Sequence, residues 1–362
     1  MQNEKSRQRR QILTSDIAIN VKTKELTAHL RRHAIPELID DNCIAAFDNI
    51  DAQFGETDTF TGMLEVRLGE ETRYVDYSIL RYDKNLPKPN RMWYEFDYEQ
   101  FSTGKKIEPC LFFTTGKPTA EIYREILDKT LPIFLGEDRA RKLRKEFEKT
   151  LRTLPKGSYI KHIGTMSSRG ELETARLVVN FTEQENIFKF LAEMDWKGDL
   201  EALREVIKTW NRQNYLQTDW TDDIEALGKV IKTWSGKNRF QLNFDVGEDW
   251  ISDKIGLEIE MSDYKPATVD KYITRLEEMG LCLKSKGDGL RNWIKIPPDT
   301  ALFLKTQVQY FKLNFLDGKI IEAKAYLEQS MNPCKCCRYE CHFLPCSSEK
   351  IPDCPILQLQ RD

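Results

Sequence analysis

Residues 306–329 read TQVQYFKLNFLDGKIIEAKAYLEQ, two alternating runs around an Asp317-Gly318 turn. Asp-Gly between such runs is a strong signal for a two-residue hairpin. On the first strand Phe311, Leu313 and Phe315 share one face, while Tyr310, Lys312 and Asn314 share the other. A lysine flanked by aromatics raises two readings of that polar face. It is the wet side of an open antiparallel sheet, or it lines the inside of a closed barrel.

The pattern recurs along the chain. Residues 62–83 (GMLEVRLGEETRYVDYSILRYD) predict a first hairpin, and RMWYEFDYEQF (91–101) with IEPCLFFTT (107–115) a second pair. YIKHIGTMSS (159–168) with TARLVVNFTE (174–183) make a third, and RFQLNFDVGED (239–249) with KIGLEIEMSD (254–263) a fourth. The opening stretch is the fifth. Helices are expected in 23–50, 119–136, 138–154 and 265–281, where apolar residues recur at intervals of three and four. DLEALREVIKTW (199–210) returns as DIEALGKVIKTW (223–234), which reads as two similar amphipathic helices rather than a solenoid, because such arrays need more repeats.

In each strand one parity is almost wholly apolar, as in Leu64, Val66 and Leu68 or Leu177, Val179 and Phe181. Helices with apolar stripes are its natural cover. The other parity carries Glu65, Arg67, Asp76, Glu95, Asp97, Arg176, Asn180, Gln241, Asn243, Asp245, Glu258, Glu260, Lys324 and Tyr326. Ten antiparallel strands with an apolar outside can close, which removes exposed edges. The fold class expected is α+β: a ten-stranded antiparallel β-barrel, or strongly curved sheet, wrapped by α-helices. It spans residues 21–330, after a mobile N-terminus (1–20) and before a Cys-rich tail (331–362).

The 362-residue chain has a net charge of −3, which gives no reason to expect a nucleic-acid partner. No apolar run reaches the length of a membrane span, and no signal-peptide pattern opens the chain, so a cytoplasmic location is expected. Sequence leaves the oligomeric state open. There is no Gly-rich phosphate loop, nucleophile elbow or zinc-protease helix.

The tail holds Cys334, Cys336, Cys337, Cys341, Cys346 and Cys354. Four thiolates suffice for tetrahedral zinc, which makes Cys334, Cys336, Cys337 and Cys341 a candidate structural Zn2+ site. A thiol-rich tail without metal is the other reading.

The layout resembles the ABBA-type aromatic prenyltransferases. YVDYSILRY (74–82) is similar to a first hairpin whose aspartate helps hold magnesium and diphosphate, which implies Asp76 as a Mg2+ ligand. TARLVVNF (174–181) and YFKLNF (310–315) look like strands that supply diphosphate-binding cations, which implies Arg176 and Lys312, with Lys161 and Asn314 beside them. The resemblance implies an allylic diphosphate donor and an aromatic or nitrogenous acceptor, extending to a peptide. Tyr94, Tyr310 and Tyr326 would shield the allylic cation, with Asn180 and Asn243 binding substrate. Glu95 or Glu258 would orient or deprotonate the acceptor. The acidic balance of the lining equally suits a noncatalytic protein that binds a peptide or small molecule in the same lumen.

Overall fold

The computed structural model describes residues 21–82, 91–115, 119–166, 169, 174–215, 240–261, 264–299 and 304–331. Ten strands form one antiparallel ladder: β1 (Thr61–Arg67), β2 (Val75–Tyr82), β3 (Arg91–Phe96), β4 (Cys110–Thr114), β5 (Tyr159–Thr165), β6 (Ala175–Phe181), β7 (Phe240–Val246), β8 (Ile251–Glu260), β9 (Leu304–Leu316) and β10 (Lys319–Met331). Each pairs with its sequence neighbours, and β10 returns to β1, so the sheet is a closed barrel. Closure runs from Lys324 opposite Arg67 to Ser330 opposite Thr61.

The hairpin of β9 and β10 has the expected turn. Leu316 pairs with Lys319, and the two residues between them have positive φ, 51° at Asp317 and 76° at Gly318. That geometry matches the twist of the flanking strands, and glycine and aspartate tolerate it best.

The apolar parity faces a layer of helices. Leu64, Val66, Ile79, Leu177, Val179, Leu242, Phe244, Leu257, Phe311 and Leu313 are all buried there. Helix α1 (Thr23–Arg32) inserts Leu26 and Leu30, and α2 (Asp41–Phe54) inserts Phe47 and Ile50. The start of α2 is fixed by Asp40, whose carboxylate accepts from the Cys43 amide at 2.8 Å. Asp97 precedes the short helix α3 (Tyr98–Phe101). The segment 119–136 is interrupted: α4 (Ala120–Glu125) passes through a π turn (Ile126–Thr130) into α5 (Leu131–Leu135), with Pro132 at the start of the last piece. Helix α6 (Glu137–Thr153) buries Leu143 and Phe147. Helices α7 (Glu185–Glu193) and α8 (Leu200–Tyr215) follow β6, and α9 (Pro266–Glu278) stacks Tyr272 on Phe311 with ring centroids 5.9 Å apart. Helix α10 (Lys284–Trp293) ends on Trp293, whose indole donates to the Gln307 carbonyl at 3.2 Å.

One local expectation needs correction, and two helices add to those expected. Residues 98–101 are helical, so β3 stops at Phe96. Residues 284–293 form a helix despite Gly287 and Gly289, because Leu290 and Trp293 give it a buried face. Residues 185–193 are helical too. The second copy of the helical echo, at 223–234, and the Cys-rich tail lie outside the described residues, so the zinc ligands Cys334, Cys336, Cys337 and Cys341 do as well. Among the described residues, Cys43, Cys110 and Cys282 are buried thiols outside any disulfide.

Phe311 and Lys312 are neighbours with opposite surroundings. Phe311→Ala removes a ring from the helix layer and is expected to lower the unfolding free energy by about 3–5 kcal/mol, read by chemical denaturation. Retention of wild-type stability would contradict the assignment of faces.

Candidate active site in the barrel lumen

Ten strands enclose more width than side chains alone fill, and cross-strand rungs show which residues line that space. One rung runs Leu80, Trp93, Phe112, Gly164, Arg176 and Asp245. It forms an apolar and aromatic shelf ending at an arginine. Gly164 is required there, since the Phe112 ring occupies the space its Cβ would need. A second rung runs Tyr310, Tyr326, Glu65 and Asp76. A third joins Asn180, Gln241, Glu258, Lys312, Lys324 and Arg67.

The lumen therefore collects Asp76, Glu95, Lys161, Arg176, Asn180, Asn243, Glu258, Tyr310, Lys312, Asn314 and Tyr326. Tyr94 is the exception. It pairs with Ile79 on the helix side and lies under the Arg81 guanidinium, 5.0 Å from its ring centroid. The shielding role expected of Tyr94 is excluded by parity, because Glu95, its neighbour, already points inward. Trp93 and Phe112, the aromatic residues on that wall, share Glu95's side of the pleat or its rung neighbours, and parity alone could have found them.

Most lumen cations have a carboxylate partner. Arg176 makes two bonds to Asp245, at 2.7 and 2.9 Å. Lys161 reaches Glu260 at 3.1 Å and the Gln241 side-chain carbonyl at 2.9 Å. Lys324 bonds to Glu65, which also accepts from the Tyr326 hydroxyl. Arg169, from the β5–β6 connection, donates to both Glu95 and Asp97. No residue pattern pointed to it, since a loop arginine carries no strand parity. Asn243 donates to Glu258 at 2.7 Å, and Asn314 donates to Glu322 at 2.5 Å.

Lys312 differs from the other cations. It is 6% exposed and makes no hydrogen bond or salt bridge with any described residue. Burial and the nearby Arg176 charge lower its pKa to about 8, against the pull of Glu65 and Glu258. It is a desolvated ammonium that a bound anion would stabilise.

Burial acts on the carboxylates in the opposite sense. Glu258 is pushed up by desolvation, against Lys312 and Lys161, and Glu95 is pushed up by desolvation, against Arg169. Glu65 ends well below the usual range: burial raises it, but the Lys324 and Lys312 charges and the bonds from Lys324 and Tyr326 win. Asp76 is raised to about 7 by burial and by Glu65, although it accepts from the Tyr98 amide at 2.9 Å.

Tyr310 and Tyr326 stack with centroids 4.2 Å apart, giving a continuous π surface beside these charges. For magnesium, the donor chemistry is poor. Glu65, Glu95, Asp97, Asp245 and Glu260 are bound to lysine or arginine, and among the described residues no three His, Cys, Asp or Glu side chains converge as a ligand set. The residues present do not fit a resident magnesium at Asp76.

The fold, a closed ten-stranded antiparallel barrel wrapped by helices, is the one seen in the ABBA prenyltransferases. The apo form of the prenyltransferase PriB is similar at a TM-score of 0.50 and 10% identity, over 86% of this chain and 96% of PriB. PriB in its ternary complex with L-tryptophan and dimethylallyl thiolodiphosphate aligns at 0.44 and 8% identity, over 85% of this chain and 94% of that one. AnaPT from Neosartorya fischeri aligns at 0.38 and 12%, over 85% and 86%. No family model matches the chain, and no curated protein matches it. Among the described residues no helix is long and apolar enough to cross a membrane.

Asp76 offers a test of the lumen electrostatics. With a folded pKa raised from 3.8 to about 7, the native state holds a proton that the unfolded chain has released, so Asp76 costs stability increasingly as pH climbs through that window. Asp76→Asn is expected to be more stable than wild type at about pH 8, with the gain disappearing near pH 4, in parallel denaturation curves. A pH-independent difference would refute the assigned shift.

Proposed function

We propose that the protein transfers a prenyl group from an allylic diphosphate to an aromatic or nitrogenous acceptor inside the barrel. The observation that carries this reading is Lys312, a buried and unpaired ammonium among Arg176, Lys161 and Lys324 in a lumen faced by Trp93, Phe112, Tyr310 and Tyr326. The cations receive the diphosphate, and its negative charge grows as the allylic C–O bond breaks. Groups already fixed in a low-dielectric site stabilise that charge without reorganising. The stacked tyrosines present π-faces to the allylic cation, which the acceptor then attacks. Glu258, whose carboxylate is oriented by Asn243, or Glu95, held by Arg169, takes the acceptor's proton. Burial raises both carboxylates and makes them better bases.

On this reading the protein's own lysines and arginines bind the donor. Thermal-shift measurements with allylic diphosphates of increasing chain length should show a rise in midpoint for one length, the same with and without Mg2+. A shift only in Mg2+ would return Asp76 to the role of metal ligand. Absence of any shift in folded protein would favour the second reading, a noncatalytic binder of cationic groups, which the grip of Glu95 and Asp97 on the Arg169 guanidinium supports.

Lys312→Met and Arg176→Ala should each lower turnover about 100-fold or more, as loss of one charge-stabilising donor does elsewhere, while the circular dichroism spectrum stays unchanged. Full turnover in both variants would remove the diphosphate assignment.

A further inference from the structure

The lumen face of β8 has a gap where its other inward positions carry Glu258 and Glu260. Gly256 stands there, opposite Asn314 on β9 and Asn243 on β7. Glycine in a strand interior weakens it and often marks a close approach of another group. Here the approaching groups are visible. A Cβ at Gly256 would lie 2.5 Å from Cε of Lys312 and 2.9 Å from Cγ of Asn243, with the Asn243 side-chain oxygen closer still. The backbone of Gly256 has no positive φ to account for the residue. Its reason is space, and what fills the space is the Asn243 amide together with the end of the Lys312 stem.

We propose that Gly256 is a positioning residue for Lys312: the missing side chain lets the lysine lean across β8 toward Asn243 and hold its ammonium free in the lumen, ready for an anionic oxygen of the diphosphate. This rests on the diphosphate reading above. A methyl group at 256 would meet the Asn243 amide on one side and Lys312 on the other. Asn243 is tied to Glu258, so the flexible lysine is the group that yields. Displaced along its rung, it would move toward the flanking Glu258 or toward Glu65, and become one more internal ion pair.

The groups that set the lysine's protonation come from every neighbouring strand: Glu258 on β8, Lys324 on β10, Glu65 on β1 and Arg176 on β6. With a free-state value of about 8, wild-type affinity for an anion at Lys312 should be greatest below that pH. It should decline above it, as an unliganded lysine loses the proton that a bound anion retains.

Inorganic pyrophosphate is the probe, titrated calorimetrically into wild type, Gly256→Ala, Lys312→Met and the double variant between about pH 7 and pH 9.5. Gly256→Ala is expected to weaken binding roughly tenfold, the scale of one charge-assisted hydrogen bond. The double variant should bind no worse than Lys312→Met, because residues acting through one contact are not additive. The decline above about pH 8 should vanish in both single variants. Additive losses, or a Gly256→Ala protein with the wild-type pH profile, would overturn the proposal. No pyrophosphate binding by wild type would overturn the diphosphate reading and this inference with it. If Gly256→Ala does not fold, the comparison moves to the Asn243→Ala background, where the atoms nearest the new methyl are gone and only Lys312 is left to displace. The same tenfold loss relative to Asn243→Ala is expected there, and equal binding would count against the proposal.

Discussion

Everything in the lumen depends on the ladder between β10 and β1. Without that pairing the ten strands would be an open sheet, and Glu65, Lys324, Tyr326 and Lys312 would sit on a wet face where charges are screened. Closure puts them in a space where a lysine costs several kcal/mol to desolvate unless paired. The Lys324–Glu65 bond crosses the closing seam itself. The seam and the electrostatics are therefore linked: one of the pairs that compensate the lumen also spans the backbone ladder that closes the barrel.

That constraint explains why so many carboxylates line a cavity proposed to take an anion. Arg176, Lys161, Lys324 and Arg169 could not stay buried alone, and Asp245, Glu260, Glu65 and Glu95 with Asp97 compensate them. The acidic balance visible in the composition of the polar parity is largely this compensation. An arginine held by both oxygens of Asp245 is also fixed in direction, so its remaining donors point where the scaffold sets them rather than where solvent would.

Architecture was legible from the sequence because two signals agreed. Period-two alternation marked ten strands, and the Asp317-Gly318 turn set the register of the last pair, so parity carried each residue to a face. The misreading of Tyr94 came from choosing an aromatic beside a carboxylate without applying that parity. Arg169 was beyond reach, since its place beside Glu95 follows from the path of a connection between strands. The helix at 284–293 was hidden by Gly287 and Gly289, whose low helix propensity is outweighed by the burial of Leu290 and Trp293. Gly256 was hidden for a related reason. A strand glycine reads as weakness until the side chain that needs its space is known.

The paired and unpaired cations differ in what the proposed diphosphate would have to do to reach them. At Arg176 or Lys324 an incoming oxygen competes with a carboxylate already in place, so the gain is the difference between two anions. At Lys312 nothing is displaced, and the anion restores charge stabilisation that burial removed. An ammonium with a pKa lowered to about 8 gains more from an anion than one whose charge is already satisfied, because binding also reverses the desolvation penalty. Among the described lumen cations Lys312 is the one with no carboxylate bonded to it, which is why the proposed diphosphate site is centred there, two residues along β9 from the Tyr310–Tyr326 stack.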